Sequence, residues 1–398
     1  MNSMFKKRRE RSSRFVWRES VLRVLGYALA TAPIRPASQC RACVDAMAAA
    51  TTVRRREQYD LKGKVGKGTF GEVWKAVARS TGQVVAIKEI KQQKGRDGVD
   101  QSAIDEIRLM QETRHPNILA LHEVFQGREG TLSLVLDFIQ TDLDKIVKAK
   151  DMTQEPFVPM PPDEIKAYMQ MFLSGVSYCH GNYILHRDLK PANLLVGADG
   201  VLKLCDFGLA RTYGSPNAKY SPQAITKWYK PMEMLLGSTK YGPACDMWGV
   251  GCIFGEMLLR APLFATDQHA SDLDQIQRIS ELMGSPDGKS WPDMEHLPVT
   301  VKFKLRHPAP FSTVFPAASK EALDLLNQLL RYDPSSRISA ASALDHPYFS
   351  ASQPPAPIER IATRVQKIID CSQQQKAASE GGATAGMKRK AADSPIPG

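Results

Sequence analysis

The sequence predicts an α+β fold, a strand-rich amino-terminal unit followed by a larger helical one, and three observations carry that reading. First, apolar and polar residues alternate over Tyr59 to Val65, Glu72 to Ala78 and Val84 to Ile90, with glycines and a Thr81-Gly82 turn between them, as antiparallel strands require. Second, from Ala103 to Thr113 the apolar residues Ile104, Ile107 and Met110 recur every third position, which suits one face of a helix. Third, beyond Pro162 helical spacing dominates. Ile165, Tyr168, Met169, Phe172 and Val176 form one apolar stripe, and similar segments surround Ile253 to Leu259, Leu273 to Leu282 and Leu323 to Leu330.

A chain of 398 residues has length for two or three compact units, and 43% hydrophobic with 24% charged residues is a globular composition expected to fold in water. That composition excludes a wholly disordered, collagen-like or multi-span membrane protein. The net charge of +11 is not spread evenly. Residues 1–57 carry 13 Lys/Arg against 4 Asp/Glu, residues 351–398 carry 7 against 4, and the body between them is close to neutral with 33 against 34. A nucleic-acid-binding core would carry its excess on the folded domain, so no direct nucleic-acid binding by the core is expected, and no membrane association.

Four stretches follow from this. Residues 1–57 read as a basic extension, disordered or a targeting segment, with Lys6, Lys7, Arg8, Arg9, Arg11, Arg14 and Arg18 at its start. Its longest apolar run, Val24 to Ala30, is too short to span a bilayer. Residues 58–139 and 140–349 are the strand-rich and helical units. Residues 350–398 read as a disordered tail, rich in Ala, Ser, Gln, Gly and Pro, with Lys388-Arg389-Lys390 as a short basic cluster. The seven cysteines are odd in number and scattered, which points to a reducing compartment. Cys40 and Cys43 have the spacing of half a zinc site but lack a second pair.

Between the first two strands lies Gly66-Lys67-Gly68-Thr69-Phe70-Gly71-Glu72-Val73. Lacking side chains at three points, such a loop lets the backbone close over phosphates and offer its N–H groups. Fifteen residues after Val73, Val85-Ala86-Ile87-Lys88 ends an apolar strand in a lysine, and Glu106 on the following helix is its candidate partner. Then comes His186-Arg187-Asp188-Leu189-Lys190-Pro191-Ala192-Asn193, with Asp206-Phe207-Gly208 eighteen residues after Asp188. Phosphoryl transfer needs a carboxylate to orient a hydroxyl and take its proton, oxygen ligands for Mg²⁺, and a cation for the charge on the transferred oxygens. Those parts occur here in that order.

Over roughly Tyr59 to Phe349 the sequence resembles the eukaryotic protein kinases. The resemblance implies a bilobal protein kinase fold, with an antiparallel β-rich N-lobe and a mainly helical C-lobe, and ATP and Mg²⁺ as cofactors. It makes Asp188 the catalytic base, Lys190 the γ-phosphate contact, Asn193 and Asp206 the metal ligands, and Lys88 with Glu106 the activating ion pair. Leu136 to Ile139 become the interlobe hinge that holds adenine, including Asp137, with Leu136 as gatekeeper. Asp142 falls near the ribose, and Val65, Val73, Ala86 and Leu195 become apolar walls, beside the loop glycines Gly66, Gly68 and Gly71.

Within the kinases, Ser102-Ala103-Ile104-Asp105-Glu106 resembles the cyclin-contacting helix of the cyclin-dependent family, and Ile225-Thr226-Lys227-Trp228-Tyr229 resembles its segment selecting Pro after the acceptor. The stretch from Gly284 to Phe315 is similar to the insert of the wider group that also holds the MAP kinases. Ser215-Pro216-Asn217, Asp272-Leu273-Asp274-Gln275 and the basic tail resemble the CDK-activating (TFIIH-associated) branch. The resemblance implies transfer to Ser/Thr-Pro sites on other cyclin-dependent kinases or RNA polymerase II repeats. It also implies a cyclin H-like partner, a RING-finger assembly factor, and residence in nucleus and cytoplasm, with N-terminal organelle targeting as the rival. A cell-cycle kinase with other substrates and a catalytically silent cyclin-binding scaffold are the alternatives.

Three departures stand out. Asp105 occupies the place before the helix glutamate where the family usually has Arg, so of three phosphate-clamping arginines only Arg187 and Arg211 remain. The Ala-Pro-Glu motif reads Pro231-Met232-Glu233, and Glu233 is expected to pair with Arg337. Phe70 stands where many members carry an inhibitory tyrosine. The expected activation-loop acceptor is Ser221, before Pro222, with Ser215 as a secondary candidate; an ordinary turn serine is the other reading of Ser221.

Overall fold

In a computed structural model the described residues are 55–68, 71–90, 101–126, 131–149, 160–214, 220, 226–267, 269–351 and 353–390, with only the backbone path given for 67–68, 101–103 and 375–390. The chain divides into two compact units, 1–114 with 119–138, and 115–118 with 139–398.

The first unit is built on one five-stranded antiparallel sheet in the order β1-β2-β3-β5-β4. Its strands are β1 (Tyr59–Gly68), β2 (Gly71–Ala78), β3 (Val84–Ile90), β4 (Leu121–Gln126) and β5 (Leu132–Asp137). β-branched and aromatic residues on alternate positions give it one buried face, where Ala76, Val85, Ile87, Phe125 and Val135 pack together with Tyr59 and Leu61 against them. Helix α1 (Gln101–Glu112) follows β3 and buries Glu106, Ile107, Leu109 and Met110. The unit begins earlier than residue 58, because Arg55 pairs with Glu123 at 2.9 Å and Arg56 with Glu89 at 2.7 Å. It ends at Phe138 rather than 139.

The second unit takes in residues 115–118, whose Ile118 bridges to Leu204 and whose Asn117 Nδ2 donates to the Leu202 carbonyl. Two short sheets, β6 (Thr141–Asp142) with β8 (Leu194–Val196) and β9 (Leu202–Leu204), and β7 (Ile184–Leu185) with β10 (Arg211–Thr212), frame the loops that carry the motifs. Helix α2 (Leu143–Lys148) is N-capped by Asp142, and α3 (Pro162–Gly181) buries all five residues of its predicted stripe. Helix α4 (Ala244–Leu259) is buried along nearly its whole length, including two carboxylates, Asp246 and Glu256. Around it lie α5 (Asp272–Met283), opened by a Ser271/Asp274 capping box, and α6 (Lys320–Leu329). Among the described residues, no helix is long and apolar enough to cross a membrane.

The tail departs from expectation. Far from lacking order from residue 350, the chain forms helix α7 (Ile358–Lys390). Ile361, Val365 and Ile369 recur every fourth residue, lie on one face and are buried, with Arg360 paired to Asp163 and Arg364 Nη1 3.2 Å from Glu164. Composition missed this because a tail without aromatics needs only a narrow apolar stripe when another surface completes the core. The backbone of Lys388-Arg389-Lys390 continues this helix, and residues 391–398 lie outside the described residues.

Candidate active site

In the first unit, Val73 pairs with Lys88 across β2 and β3, and Ala86 with Leu136 across β3 and β5. Strand pairing thus sets the Lys88 amine among apolar neighbours. Its Nζ donates to Glu106 Oε1 at 2.7 Å, both side chains being buried. A charge pair so withdrawn from water is costly unless its geometry is kept, which makes the position of α1 consequential for Lys88. Gly71 is required by close approach: a Cβ there would sit 1.6 Å from the Glu89 carbonyl oxygen. At Gly66 a Cβ would meet nothing within 4 Å. Gly68 pairs with Gly71 at the strand end, and Thr69 and Phe70 lie outside the described residues. Val65 is 53% exposed, Val73 is half-buried, Ala86 and Leu136 are buried, and Asp137 Oδ1 accepts from His122 Nε2 at 2.6 Å.

The second unit gathers the other motifs. Asp188 is oriented by three side-chain donors: Thr226 Oγ1 to Oδ1 at 2.8 Å, Lys190 Nζ to Oδ2 at 2.7 Å, and Asn193 Nδ2 to Oδ2 at 2.9 Å. Asn193 Nδ2 also donates to the Asp188 carbonyl at 2.7 Å. The backbone N–H of Cys205 donates to the Asn193 carbonyl, which ties the segment leading into Asp206, just after β9, to Asn193, just before β8. Arg187 and Asp206 both have left-handed backbones, φ +64° and +63°, a strain that non-glycine residues sustain only where their surroundings fix them. Leu195 is half-buried on β8, and Ile139 is half-buried just after the first unit ends. Asp142 spends its carboxylate on capping α2 and on Lys145.

What fixes the loop is Asp246, a residue the sequence reading passed over. Its Oδ2 accepts from the His186 N–H at 2.9 Å and from His180 Nε2 at 3.0 Å, and its Oδ1 accepts from the Arg187 N–H at 2.9 Å. Burial would raise its pKa. The His180 bond, the charges of His180 and His186 and the Arg187 N–H outweigh that and hold the carboxyl below its ordinary value. The signal was present as an acid in the first turn of a helix whose only other charged residue is Glu256. Thr226 was missed as well, although it stands inside the stretch read as proline-selecting. Glu233 forms a bidentate pair with Arg337 at 2.6 and 2.7 Å, whose guanidinium lies 5.0 Å from the centre of the Trp248 ring.

Arg211 Nη1 donates to the Ala210 carbonyl. Ser215 and Ser221 lie outside the described residues, as do Cys40 and Cys43.

The oxygen donors fit a small hard cation. Asn193 commits its amide nitrogen within the loop, which leaves its amide oxygen, with the Asp206 carboxylate, as a donor set of the kind Mg²⁺ takes alongside water and phosphate.

The protein kinase domain matches residues 59–349. Cyclin-dependent kinase 7 of Dictyostelium discoideum is 41% identical over 332 residues, covering 80% of this chain and 89% of that protein. Cyclin-dependent kinase 7 of Xenopus laevis is 44% identical over 306 residues, 76% of this chain and 84% of the relative. Among solved structures, the CAK complex of Chaetomium thermophilum bound to ATP-γ-S contains a chain that superposes with TM-score 0.70 at 35% identity, over 79% of this chain and 97% of that one.

Proposed function

The chain belongs to the protein kinase family, among the cyclin-dependent kinases, and from that premise we propose that it is a CDK-activating kinase that phosphorylates Ser/Thr-Pro sites on other cyclin-dependent kinases and on the RNA polymerase II repeats. The observation that carries the reading is the Asp188 carboxylate held by Thr226, Lys190 and Asn193. When bound, ATP supplies the γ-phosphate and Mg²⁺ neutralises charge on its oxygens. Asp188 accepts the proton of the acceptor hydroxyl. Lys190, already anchored on Asp188 Oδ2, is the cation at the transferred group, and Asn193 and Asp206 are the metal ligands. Glu106 holds the Lys88 amine for the phosphates. A cyclin resembling cyclin H seats α1, a RING-finger protein assembles the complex, and the enzyme works in nucleus and cytoplasm. The relatives named cyclin-dependent kinase 7 support this placing over the cell-cycle branch.

The test is phosphate transfer by the full chain with its co-purified cyclin to polymerase-tail repeats, a cyclin-dependent kinase activation segment and histone. Transfer to the first two is expected, and Asp206→Asn abolishes it. Preference for histone would move the protein to the cell-cycle branch. Nucleotide binding without transfer to any substrate would make it a scaffold.

A further inference from the structure

Arg187 precedes the catalytic aspartate in a strained backbone, so whatever fixes its side chain fixes Asp188. Three contacts hold the guanidinium. Nε donates to the Leu209 carbonyl at 2.7 Å, Nη1 donates to the Tyr241 hydroxyl at 3.0 Å, and the guanidinium carbon lies 5.9 Å from the centre of the Tyr220 ring, within cation–π range. Tyr220 is itself tied down. Its N–H donates to the Thr239 carbonyl at 2.9 Å, its hydroxyl donates to the Thr212 carbonyl at 3.1 Å, and its ring lies 5.3 Å from that of Tyr241. Burial and the neighbouring Arg187 act in opposite directions on the Tyr241 phenol, and burial prevails, keeping it protonated as the acceptor of the Arg187 bond.

These contacts close a ring of three side chains from three places in the sequence: the catalytic loop, the residue immediately before Ser221, and the segment leading into α4. We propose that Tyr220 is a positioning residue that pins the activation segment to Arg187 through an uncharged aromatic face, so that the catalytic loop is held without a phosphate at Ser221. The proposal rests on the kinase reading above.

The test measures kcat and KM for ATP of the full chain with its cyclin, before and after phosphatase treatment, in wild type, Tyr220→Phe and Tyr220→Leu. The phenylalanine variant keeps the ring and loses only the Thr212 bond. Leucine keeps bulk and loses the π face. Wild type and Tyr220→Phe are expected to lose less than about threefold in kcat on dephosphorylation, while Tyr220→Leu loses about tenfold, the scale of a desolvated cation–π contact, with KM for ATP unchanged. Ser221→Ala in the wild-type chain should match the phosphatase result. A structural role alone would lower thermal stability without creating dependence on phosphate. Tyr220→Leu insensitive to phosphatase, or wild type as sensitive as Tyr220→Leu, would overturn the proposal. If Tyr220→Leu does not fold, Tyr241→Phe removes only the hydroxyl acceptor and is expected to raise phosphatase sensitivity in the same direction; no change would count against it. Absence of transfer by the wild-type complex before phosphatase would instead refute the kinase reading.

Discussion

At the scale of single residues, the site is set by buried carboxylates on α4 that belong to no recognised catalytic motif. Asp246 aims the catalytic loop, and ten residues on, Glu256 Oε2 accepts from the Tyr229 hydroxyl at 2.7 Å in the stretch read as proline-selecting. Burial pushes the Glu256 carboxyl up to about 7, with nearby Asp144 adding to the shift and the Tyr229 bond and Lys148 opposing it. The sign of the pH effect follows. In the unfolded chain this glutamate ionises near its ordinary value of 4.5, whereas the folded protein keeps the proton to about 7. Stability therefore falls as pH rises through that window and stays lowered above it, by about 3 kcal/mol at most. Glu256→Gln keeps an acceptor for Tyr229 and cannot ionise. Measured by urea unfolding, the variant should gain on wild type between pH 5 and pH 8, and a constant difference would show that Glu256 is ionised in the folded state at both.

Among the elements, those with strong periodicity were legible and those completed by a distant surface were not. The alternation in β2 and β3 and the stripe on α3 placed strands and helix because the pattern alone decides which face is buried. The motifs named Asp188, Lys190, Asn193 and Asp206, since phosphoryl transfer permits few residue types. Asp246 and Thr226 escaped because what matters about them is whom they meet across 38 residues of chain or more. The tail helix α7 escaped for the same reason, as its partners are Asp163, Glu164 and the turn at Gly200. Gly200 has φ +82°, and a Cβ there would lie 2.7 Å from the Ile358 carbonyl oxygen and 3.0 Å from the Ala362 nitrogen. Gly200→Val adds bulk against the backbone of α7 at a conformation that branched residues avoid. It should cost roughly 1–3 kcal/mol and expose the tail to limited proteolysis at the start of α7. Cleavage there at the wild-type rate would mean that α7 is not seated on this turn.

For the whole molecule the question is what the uneven charge does. The neutral body carries the kinase motifs, while 1–57 alone holds an excess of nine positive charges, and Arg55 and Arg56 at its end are already spent on ion pairs with the first unit's sheet. The basic residues farther toward the start lie outside the described residues, and what they encode is tested by removing them. If the proposed function holds, full-length protein and a version beginning at Arg54 should distribute alike between nucleus and cytoplasm when imaged as fusions. Cutting instead after Gln58 removes Arg55 and Arg56, and should lower thermal stability without altering that distribution. If full-length protein enters an organelle and the shortened one does not, the extension is a targeting segment, and the enzyme's substrates must be sought in that compartment instead.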